Sequence, residues 1–222
     1  MRVLAISTHP DDETLGCGGT LLRHAAAGDE LYWLVVTVPA EGEWSPEIIA
    51  AAADQVQRVG EAYGMRRVFK SNLPTTRLDT TPQNELIKNI RSVITEVKPN
   101  VIYLVHEGDV HTDHHAVFKA TFSVLKSFYM TKWNVRRILS YETLSSTEAA
   151  APSLVRAFVP NVYSDITPYL ERKIEIMNIF KTEQQDDLFP RGDSAIRALA
   201  RFRGATIGVE YAEAFQLIRE VV

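Results

Sequence analysis

The sequence predicts an α/β fold, a Rossmann-like three-layer sandwich with a mostly parallel central sheet. Short apolar runs alternate along the chain with longer segments whose apolar residues recur at helical spacing, as expected for strands joined by crossover helices. The run from Leu31 to Val38 is apolar and β-branched almost throughout. Such a run favours a strand buried on both faces, as parallel strands are.

The length and composition predict one domain. At 222 residues with 45% hydrophobic residues, the chain is long enough to bury a sizeable core and short for two full domains. No internal repeat, low-complexity tract or linker divides it. We therefore expect a single domain over residues 1–222.

The first half of the chain has clear element boundaries. An apolar strand covers Val3 to Thr8, and apolar residues at helical spacing predict a helix from Thr20 to Ala27. Ser45 is an N-cap followed by Pro46 at the first helical position, which predicts a helix that reaches Tyr63. The other elements predicted here are a strand at Arg67 to Leu73, a helix from Thr81-Pro82 to Val97, and a strand at Val101 to Val105.

The second half is less regular. A helix is predicted from about Asp113 to Ser127 and a strand from Ile138 to Leu144. Residues 145–161 show no periodicity and contain two prolines, which favours an irregular surface segment. The remaining predicted elements are a strand at Val162 to Ile166, a helix from Thr167-Pro168 to about Phe180, a helix from Asp193 to Phe202 ended by Gly204, and a strand within Tyr211 to Ile218.

A crowded polar turn, His9-Pro10-Asp11-Asp12-Glu13, follows the first strand and precedes the glycine-rich Gly16 to Gly19. Three carboxylates and an imidazole in one turn repel each other and gain little stability by themselves. A cation or a chemical task is therefore expected to hold them there.

A second polar cluster, His106 to His115, follows the fourth predicted strand. If the strand order is 3-2-1-4-5, the first and fourth strands are neighbours at the point where the order reverses. Ligands of such sheets bind beyond the carboxyl ends of the strands at that point. We therefore expect residues 9–13 and 106–114 to form one site.

The side chains of this site suit a metal ion. Two imidazoles and a carboxylate are a common ligand set for catalytic zinc, with water in the fourth position. His9, Asp12 and His114 can supply that set, and Asp11 then stays free as a base. The alternatives are hydrogen-bonded loop histidines, and a helix N-cap or a second carboxylate of the metal site at Asp11.

The motifs resemble the LmbE-like, or PIG-L-type, family of zinc-dependent N-acetyl sugar deacetylases. The resemblance rests on His9-Pro10-Asp11-Asp12-Glu13 with Gly16 to Gly19, and on His111-Thr112-Asp113-His114. It extends more loosely to Tyr141-Glu142-Thr143 and Tyr211-Ala212-Glu213-Ala214-Phe215. Nearly the whole chain is covered.

The resemblance implies a Rossmann-like fold and a set of residue roles. His9, Asp12 and His114 would bind zinc, or another divalent transition metal, and Asp11 would be the general base. The implied substrates are N-acetylated amino sugars of the N-acetylglucosamine type, or their conjugates. The implied function is hydrolysis of their acetamide bond.

The mechanism expected from these roles has zinc activating a water while Asp11 takes its proton. His111 would stabilise the oxyanion when protonated, or donate a proton to the leaving amine. Asp113 is interpreted as a partner that orients an imidazole. Glu13 suits the positive end of a helix dipole, and a catalytic role is its alternative.

Substrate contacts are harder to assign. Members of the family often carry an arginine and a glutamate on the helix after the second strand, where this chain has Ala50 to Ala53 and then Asp54 and Arg58. Arg191 belongs to a group of arginines that could contact an acidic substituent. Trp44 and Tyr211 are candidates for stacking on a sugar ring.

The overall charge limits the classes of partner that the protein is expected to bind. Lys+Arg 24 against Asp+Glu 28 gives a net charge of −4, which predicts no binding to nucleic acid or to an anionic membrane. The only cysteine, Cys17, excludes an internal disulfide.

No apolar run approaches the roughly 18 residues that span a bilayer, and the chain starts directly in a strand, so a soluble cytoplasmic protein is expected. The irregular segment after Ser145 and the apolar tail predict a homo-oligomer.

A nucleotide-binding Rossmann enzyme is one competing function. Its fingerprint requires a third glycine three residues beyond the second, where Leu21 stands, and an acidic residue after the second strand, which ends in Val38-Pro39. Both features are missing from the sequence. The nucleotide-binding interpretation is therefore disfavoured.

A metal-dependent phosphoesterase or nuclease is the second competitor, with the carboxylates of residues 11–13 binding magnesium. Ligation by oxygen alone would leave His9 and His114 without a role, and the negative net charge disfavours a polyanionic substrate. A non-enzymatic sugar-binding module is the third competitor. The sequence leaves it open.

Overall fold

The computed structural model describes residues 1–152, 156–183 and 185–222. Within them, seven strands form a single sheet. The strands are β1 (Arg2–Ser7), β2 (Glu30–Val38), β3 (Arg67–Pro74), β4 (Val101–Val105), β5 (Arg137–Tyr141), β6 (Val162–Asp165) and β7 (Ala212–Glu220).

Helices connect the strands. They are α1 (Asp12–Ala26), α2 (Pro46–Ala62), α3 (Gln83–Val97), α4 (Thr112–Val124), α5 (Ser127–Met130), α6 (Leu170–Met177) and α7 (Asp193–Ile207), with one 3₁₀ turn at Thr131–Trp133. α1 packs against α6, and α3 packs against α4. Helices thus cover the sheet as a three-layer sandwich requires.

The strand order is β3-β2-β1-β4-β5-β7-β6. β1 pairs in parallel with both β2 and β4, and β7 pairs antiparallel with β5 and β6. The predicted α/β fold class and the predicted order of the first five strands are therefore confirmed. The chain crosses from one half of the sheet to the other between β3 and β4, so β1 and β4 flank the switch point.

The core is centred on the strands next to the switch point. Val3 to Ile6 in β1 are fully buried, as are Ile102 and Leu104 in β4. β3, at the edge of the sheet, leaves most of its side chains partly or fully exposed. The loops that follow β1 and β4 therefore start from the best-packed strands in the sheet.

The glycine-rich start of α1 permits close packing. A Cβ atom at Gly16 would lie 2.1 Å from Cδ2 of Tyr141, and one at Gly19 would lie 2.8 Å from Cβ of Ile166. Tyr141 is itself fixed, because its hydroxyl donates a hydrogen bond to the carbonyl oxygen of Ile6 at 2.9 Å. Helix-to-sheet packing therefore accounts for these glycines without a bound pyrophosphate.

α1 leaves regular helical geometry near its middle, at Cys17. A buried ion pair between Lys173 and Glu213 holds the two halves of the helix together. The Glu213 carboxylate accepts hydrogen bonds from the backbone amides of Gly19 (2.8 Å) and Thr20 (2.7 Å). Lys173 donates from Nζ to Glu213 and to the carbonyl oxygen of Leu15, both at 2.8 Å. Both buried charges are thereby satisfied, and the first turn of α1 is anchored to β7 and α6.

Several predicted boundaries are wrong. The apolar spacing that begins at Thr20 covers only the second half of α1, which begins at Asp12 directly after the polar turn. Glycines interrupt the apolar spacing in the first half of the helix. α7 continues to Ile207, so Gly204 lies inside the helix and does not end it. A Cβ atom at position 204 would lie 2.7 Å from the carbonyl oxygen of Glu210, which explains the glycine. The helix predicted to reach Phe180 ends at Met177.

Other differences are smaller. The helix predicted as far as Ser127 ends at Val124 and is followed by the short α5. β5 ends at Tyr141 rather than at Leu144. In the predicted irregular stretch 145–161, the described residues form no helix or strand, and residues 153–155 lie outside the described part. The last segment is the strand β7, as predicted.

Candidate metal centre

The two polar clusters meet at the carboxyl ends of β1 and β4. His9 follows β1 directly, Asp12 is the first residue of α1, and His114 lies in the first turn of α4. Nε2 of His114 is 3.4 Å from Nδ1 of His9 and 3.4 Å from Oδ1 of Asp12. The prediction that residues a hundred positions apart form one site is confirmed.

These three side chains form a group that can hold a metal ion. One ligand atom from each of His9, Asp12 and His114 lies within 4.8 Å of the others. A second possible group combines His9 with His111 and Asp113. Asp113 is a poorer ligand, because its oxygens already accept hydrogen bonds from the backbone amides of Thr76 and Leu78.

Both histidines of the first group are held by carboxylates. Nδ1 of His114 lies 2.7 Å from Oδ2 of Asp109, and Nε2 of His9 lies 3.2 Å from Oδ2 of Asp113. A carboxylate on one ring nitrogen keeps the proton there, which leaves the other nitrogen as an electron-pair donor. Nε2 of His114 and Nδ1 of His9 therefore face each other as electron-pair donors, 3.4 Å apart.

The electrostatics of the group also favour a cation. Burial lowers the pKa of His114, but Asp12 and Asp109 outweigh burial and raise that pKa to about 10. Burial raises the pKa of Asp12, but His114 and His9 outweigh it and lower that pKa to about 2. The carboxylates thus stabilise positive charge on His114, as they would stabilise a metal ion in place of the proton.

Asp109 is a residue that the sequence interpretation missed. It is buried, with 1% of its surface exposed, and its second oxygen accepts a hydrogen bond from the Thr147 hydroxyl at 2.6 Å. Its spacing of five residues from His114 gives no recognisable motif. Only the loop geometry brings the two together.

Asp109→Asn is expected to weaken metal binding by about 10- to 100-fold, as changes to partners of metal-ligating histidines do. The asparagine keeps the size of the side chain but removes the charge that supports His114. The measurement is a zinc competition titration against a chelator. Glu107→Gln, at an exposed position in the same loop, is the matched control, and an affinity for Asp109→Asn equal to that of this control would contradict the role.

The side chain of Asp11 does not cap the helix that it precedes. It occupies the N-cap position of α1, yet its side chain makes no capping hydrogen bond, and its backbone φ is 116°. Such a φ is strained for a residue with a side chain and is frequent at functional sites. Burial, followed by the carboxylates of Asp12 and Glu183, raises the pKa of Asp11 well above its ordinary value, while Arg191 opposes the shift.

His111 presents one ring nitrogen to the site. It is the N-cap of α4, and its Nδ1 accepts a hydrogen bond from the backbone amide of Asp113 at 3.2 Å. Its proton therefore belongs on Nε2. Burial, with contributions from His9 and His114, lowers the pKa of His111 to about 4, so the protonated form considered in the sequence interpretation is disfavoured at neutral pH.

The site opens into a cavity of about 540 Å³. Six predicted site residues line it directly, which are His9, Asp11, Asp12, His111, His114 and Trp44. Arg191 lines it as well and donates from Nη1 to Asp11 (3.1 Å) and Glu183 (2.7 Å). A cavity of this size holds a sugar-sized molecule.

Three predicted site residues, Asp113, Glu13 and Tyr211, do not line the cavity. Glu13 is fully buried and accepts hydrogen bonds from the hydroxyls of Ser7 (3.0 Å) and Thr14 (2.6 Å), and burial raises its pKa to about 7. Tyr211 packs against the core beside Thr167. The geometry gives Glu13 a structural position, and it gives Tyr211 no contact with the cavity.

A Rossmann-like sheet with a two-histidine, one-carboxylate group in a cavity at its switch point is the arrangement of a metal-dependent enzyme site. Comparison with known proteins narrows the class of enzyme. Residues 4–125 match the model of the PIG-L family, described as GlcNAc-PI de-N-acetylase. The chain belongs to this family, and the resemblance predicted from its motifs is confirmed.

Several known proteins are similar over most of the chain. Diacetylchitobiose deacetylase of Thermococcus kodakarensis is 26% identical over 228 residues, which cover 98% of this chain and 83% of that protein. A 1D-myo-inositol 2-acetamido-2-deoxy-alpha-D-glucopyranoside deacetylase of Rhodococcus jostii is 31% identical over 57% of this chain and 53% of its own length. This chain therefore matches about half of the second relative.

A solved structure gives the same fold. It is N,N'-diacetylchitobiose deacetylase from Pyrococcus horikoshii, with a TM-score of 0.75 and 22% identity over 98% of this chain and 83% of that one. At this level of identity the likeness concerns the fold alone. In the described part of this chain, no helix is long and apolar enough to cross a membrane.

Proposed function

We propose that this protein is a zinc-dependent hydrolase that removes the N-acetyl group from an N-acetylglucosamine-type amino sugar or its conjugate. Relatives whose names describe deacetylases of such sugars support the reaction and the substrate class. Another divalent transition metal suits the same donor set. A homo-oligomer and a cytoplasmic location stay predictions.

One observation carries the proposal. The His9, Asp12 and His114 group lies in the wall of a cavity beside Asp11, a carboxylate that neither caps its helix nor belongs to the group. Three protein ligands with an open position are typical of catalytic zinc, whereas structural zinc sites have four. Hydrolysis needs both an activated water and a base, and the site offers positions for both.

The donor set fits zinc because it combines imidazole with a single carboxylate. A bound zinc ion would lower the pKa of a water ligand and polarise the acetamide carbonyl. Asp11 then accepts the proton of the attacking water, and its raised pKa makes it a stronger proton acceptor than an exposed aspartate. Arg191 fixes the orientation of the Asp11 carboxylate through its hydrogen bond at 3.1 Å.

The tetrahedral oxyanion requires a hydrogen-bond donor. Neutral His111, with its proton on Nε2, can donate to an oxyanion without becoming charged. Its ring centroid lies 4.4 Å from that of His9 and 5.3 Å from that of His114, so the donor is next to the two proposed ligands. Asp11 is also the group that can return its proton to the leaving amine.

The competing functions are less well supported. Magnesium-dependent phosphoesterases use oxygen ligands, whereas two of the three atoms in this group are imidazole nitrogens. The nucleotide-binding interpretation loses its remaining basis, because packing accounts for Gly16 and Gly19. A non-enzymatic sugar-binding module would bind the sugar without hydrolysing it, so a measurement of amine release distinguishes it from the hydrolase.

Zinc-loaded protein is expected to release primary amine from at least one N-acetylated amino sugar. The measurement is a screen of N-acetylglucosamine, N,N'-diacetylchitobiose and simple N-acetylglucosaminides for released amine. Metal-stripped protein is the control and is expected to be inactive until zinc is restored. The absence of amine from every acetamide tested would overturn the proposed function.

A further inference from the structure

The cavity carries little free positive charge. Among the described residues that line it, the carboxylates are Asp11, Asp12 and Glu183, and the only lysine or arginine is Arg191. In the metal-bound site the histidines are neutral ligands, so the ionised carboxylates and the arginine sum to about −2, and one divalent cation brings the total to about zero. An acidic substituent on a substrate would therefore meet no net attraction there.

The single arginine is already engaged. Nη1 of Arg191 donates to Asp11 at 3.1 Å and to Glu183 at 2.7 Å. A guanidinium that already pairs with two carboxylates has no unpaired positive charge for a third anion. If Arg191 bound a substrate anion instead, Asp11, the proposed base, would lose its hydrogen bond to Arg191. Arg77 is no substitute, because it does not line the cavity and it pairs with Glu43.

The wall contributed by α2 is uncharged. Ile48, Ala52 and Gln55 are the residues of this helix that line the cavity. The amide of Gln55 is buried and accepts a hydrogen bond from the Thr182 hydroxyl at 3.2 Å. The charged residues of the same helix point elsewhere, since Arg58 pairs with Asp54 on its exposed side.

The rim continues this neutral surface. Trp44 and Val110 line the cavity with 42% and 52% of their surfaces exposed, respectively. Val38 and Pro39 line it from the end of β2. Aromatic and aliphatic side chains of this kind contact the carbon faces of a sugar ring or an apolar substituent.

We infer that this site selects substrates that are uncharged around the reacting amide, and that it discriminates against substrates carrying a phosphate or carboxylate at the neighbouring positions. The inference rests on the proposed function and narrows its substrate class to neutral N-acetylated glycosides and oligosaccharides. The charge of the bound metal does not offset this discrimination, because the reacting acetamide occupies that position. A phosphate elsewhere in the cavity faces Glu183, the shared Arg191 and the neutral α2 wall.

The first test compares two substrates that differ in one substituent, methyl 2-acetamido-2-deoxyglucoside and N-acetylglucosamine 1-phosphate. The zinc-loaded full chain is expected to deacetylate the neutral glycoside with a kcat/KM at least about 10-fold higher, because a phosphate would lose its hydration in the cavity without gaining an unpaired cation. Equal or faster turnover of the phosphate would overturn the inference.

The second test adds a cation to the neutral wall. Ala52→Arg introduces one into the cavity lining and is expected to reduce the preference for the neutral glycoside by at least about 5-fold. Ala53→Arg, at the adjacent exposed position, is the matched control and is expected to change the preference by less than about twofold. Identical preferences in the two variants would overturn the assignment of selectivity to this wall.

Failure of the proposed function gives a different result. In that case neither compound releases amine from the parent protein, and calorimetry with methyl glucosaminide and glucosamine 1-phosphate decides the inference separately. Weaker binding of the phosphate by the parent, partly restored in Ala52→Arg, supports selection against anions. Equal or tighter binding of the phosphate overturns it.

Discussion

Replacing Asp11 with asparagine is expected to lower kcat by about 10²- to 10⁴-fold, the contribution of a positioned general base. Asparagine suits this test because it has nearly the shape of aspartate and, like aspartate, tolerates the positive φ found at this position. The proposed ligands are untouched, so the metal content is expected to match that of the parent. The measurements are initial rates of amine release and metal analysis on the same preparations.

Glu183→Gln is the matched control for Asp11→Asn. Glu183 lines the same cavity and shares Nη1 of Arg191 with Asp11, so its replacement removes a carboxylate without removing the proposed base. Its kcat is expected to stay within about 10-fold of the parent. If Asp11→Asn retains full metal content and a kcat comparable to that of Glu183→Gln, Asp11 is not the base.

The central half of the fold follows from local sequence patterns. β4 matches its predicted bounds, Val101 to Val105, and Ser45 caps α2 with its side chain as the Ser45-Pro46 signal predicts. Uninterrupted apolar runs leave little ambiguity about buried parallel strands. Once the strand order follows from the alternation of elements, the meeting of His9 with His114 follows as well.

The errors in the bounds of α1 and α7 have a common cause. Gly16 and Gly204 interrupt the periodicity that identifies a helix, and both lie inside helices because another part of the chain approaches too closely for a Cβ atom. Tyr141 makes that approach at the first position and the backbone of Glu210 at the second. Such contacts join distant segments, so spacing along the sequence cannot reveal them.

The residues of the candidate site also divide into those that the sequence predicts and those that it does not. The meeting of His9 and Asp12 with His114 was predictable, because the ends of the buried strands that precede them converge at the switch point. The carboxylate of Asp109 and the contact between Arg191 and Asp11, across 180 positions, depend on loop conformations. Loops have no periodicity that would disclose such pairs.

Asp12→Ala is expected to weaken zinc binding by more than about 100-fold, beyond the effect of changing a residue that only contacts a ligand. Asp12 is the single carboxylate of the proposed group and the acceptor for the backbone amide of His9 at 2.8 Å. Its loss also removes an anion that raises the pKa of His114. Zinc affinity and amine release are the measurements, and activity is expected to fall to that of metal-stripped protein.

Asp54→Ala, which removes an exposed carboxylate of α2, is the control for Asp12→Ala and is expected to keep both zinc and activity. Circular dichroism of the variants separates loss of the ligand from loss of the fold. Unchanged zinc affinity in a folded Asp12→Ala protein would exclude Asp12 as a ligand and leave the group of His9, His111 and Asp113 as the remaining candidate. Loss of zinc from the variant, with no amine release by the zinc-loaded parent, would instead favour a metal-containing sugar-binding module over an enzyme.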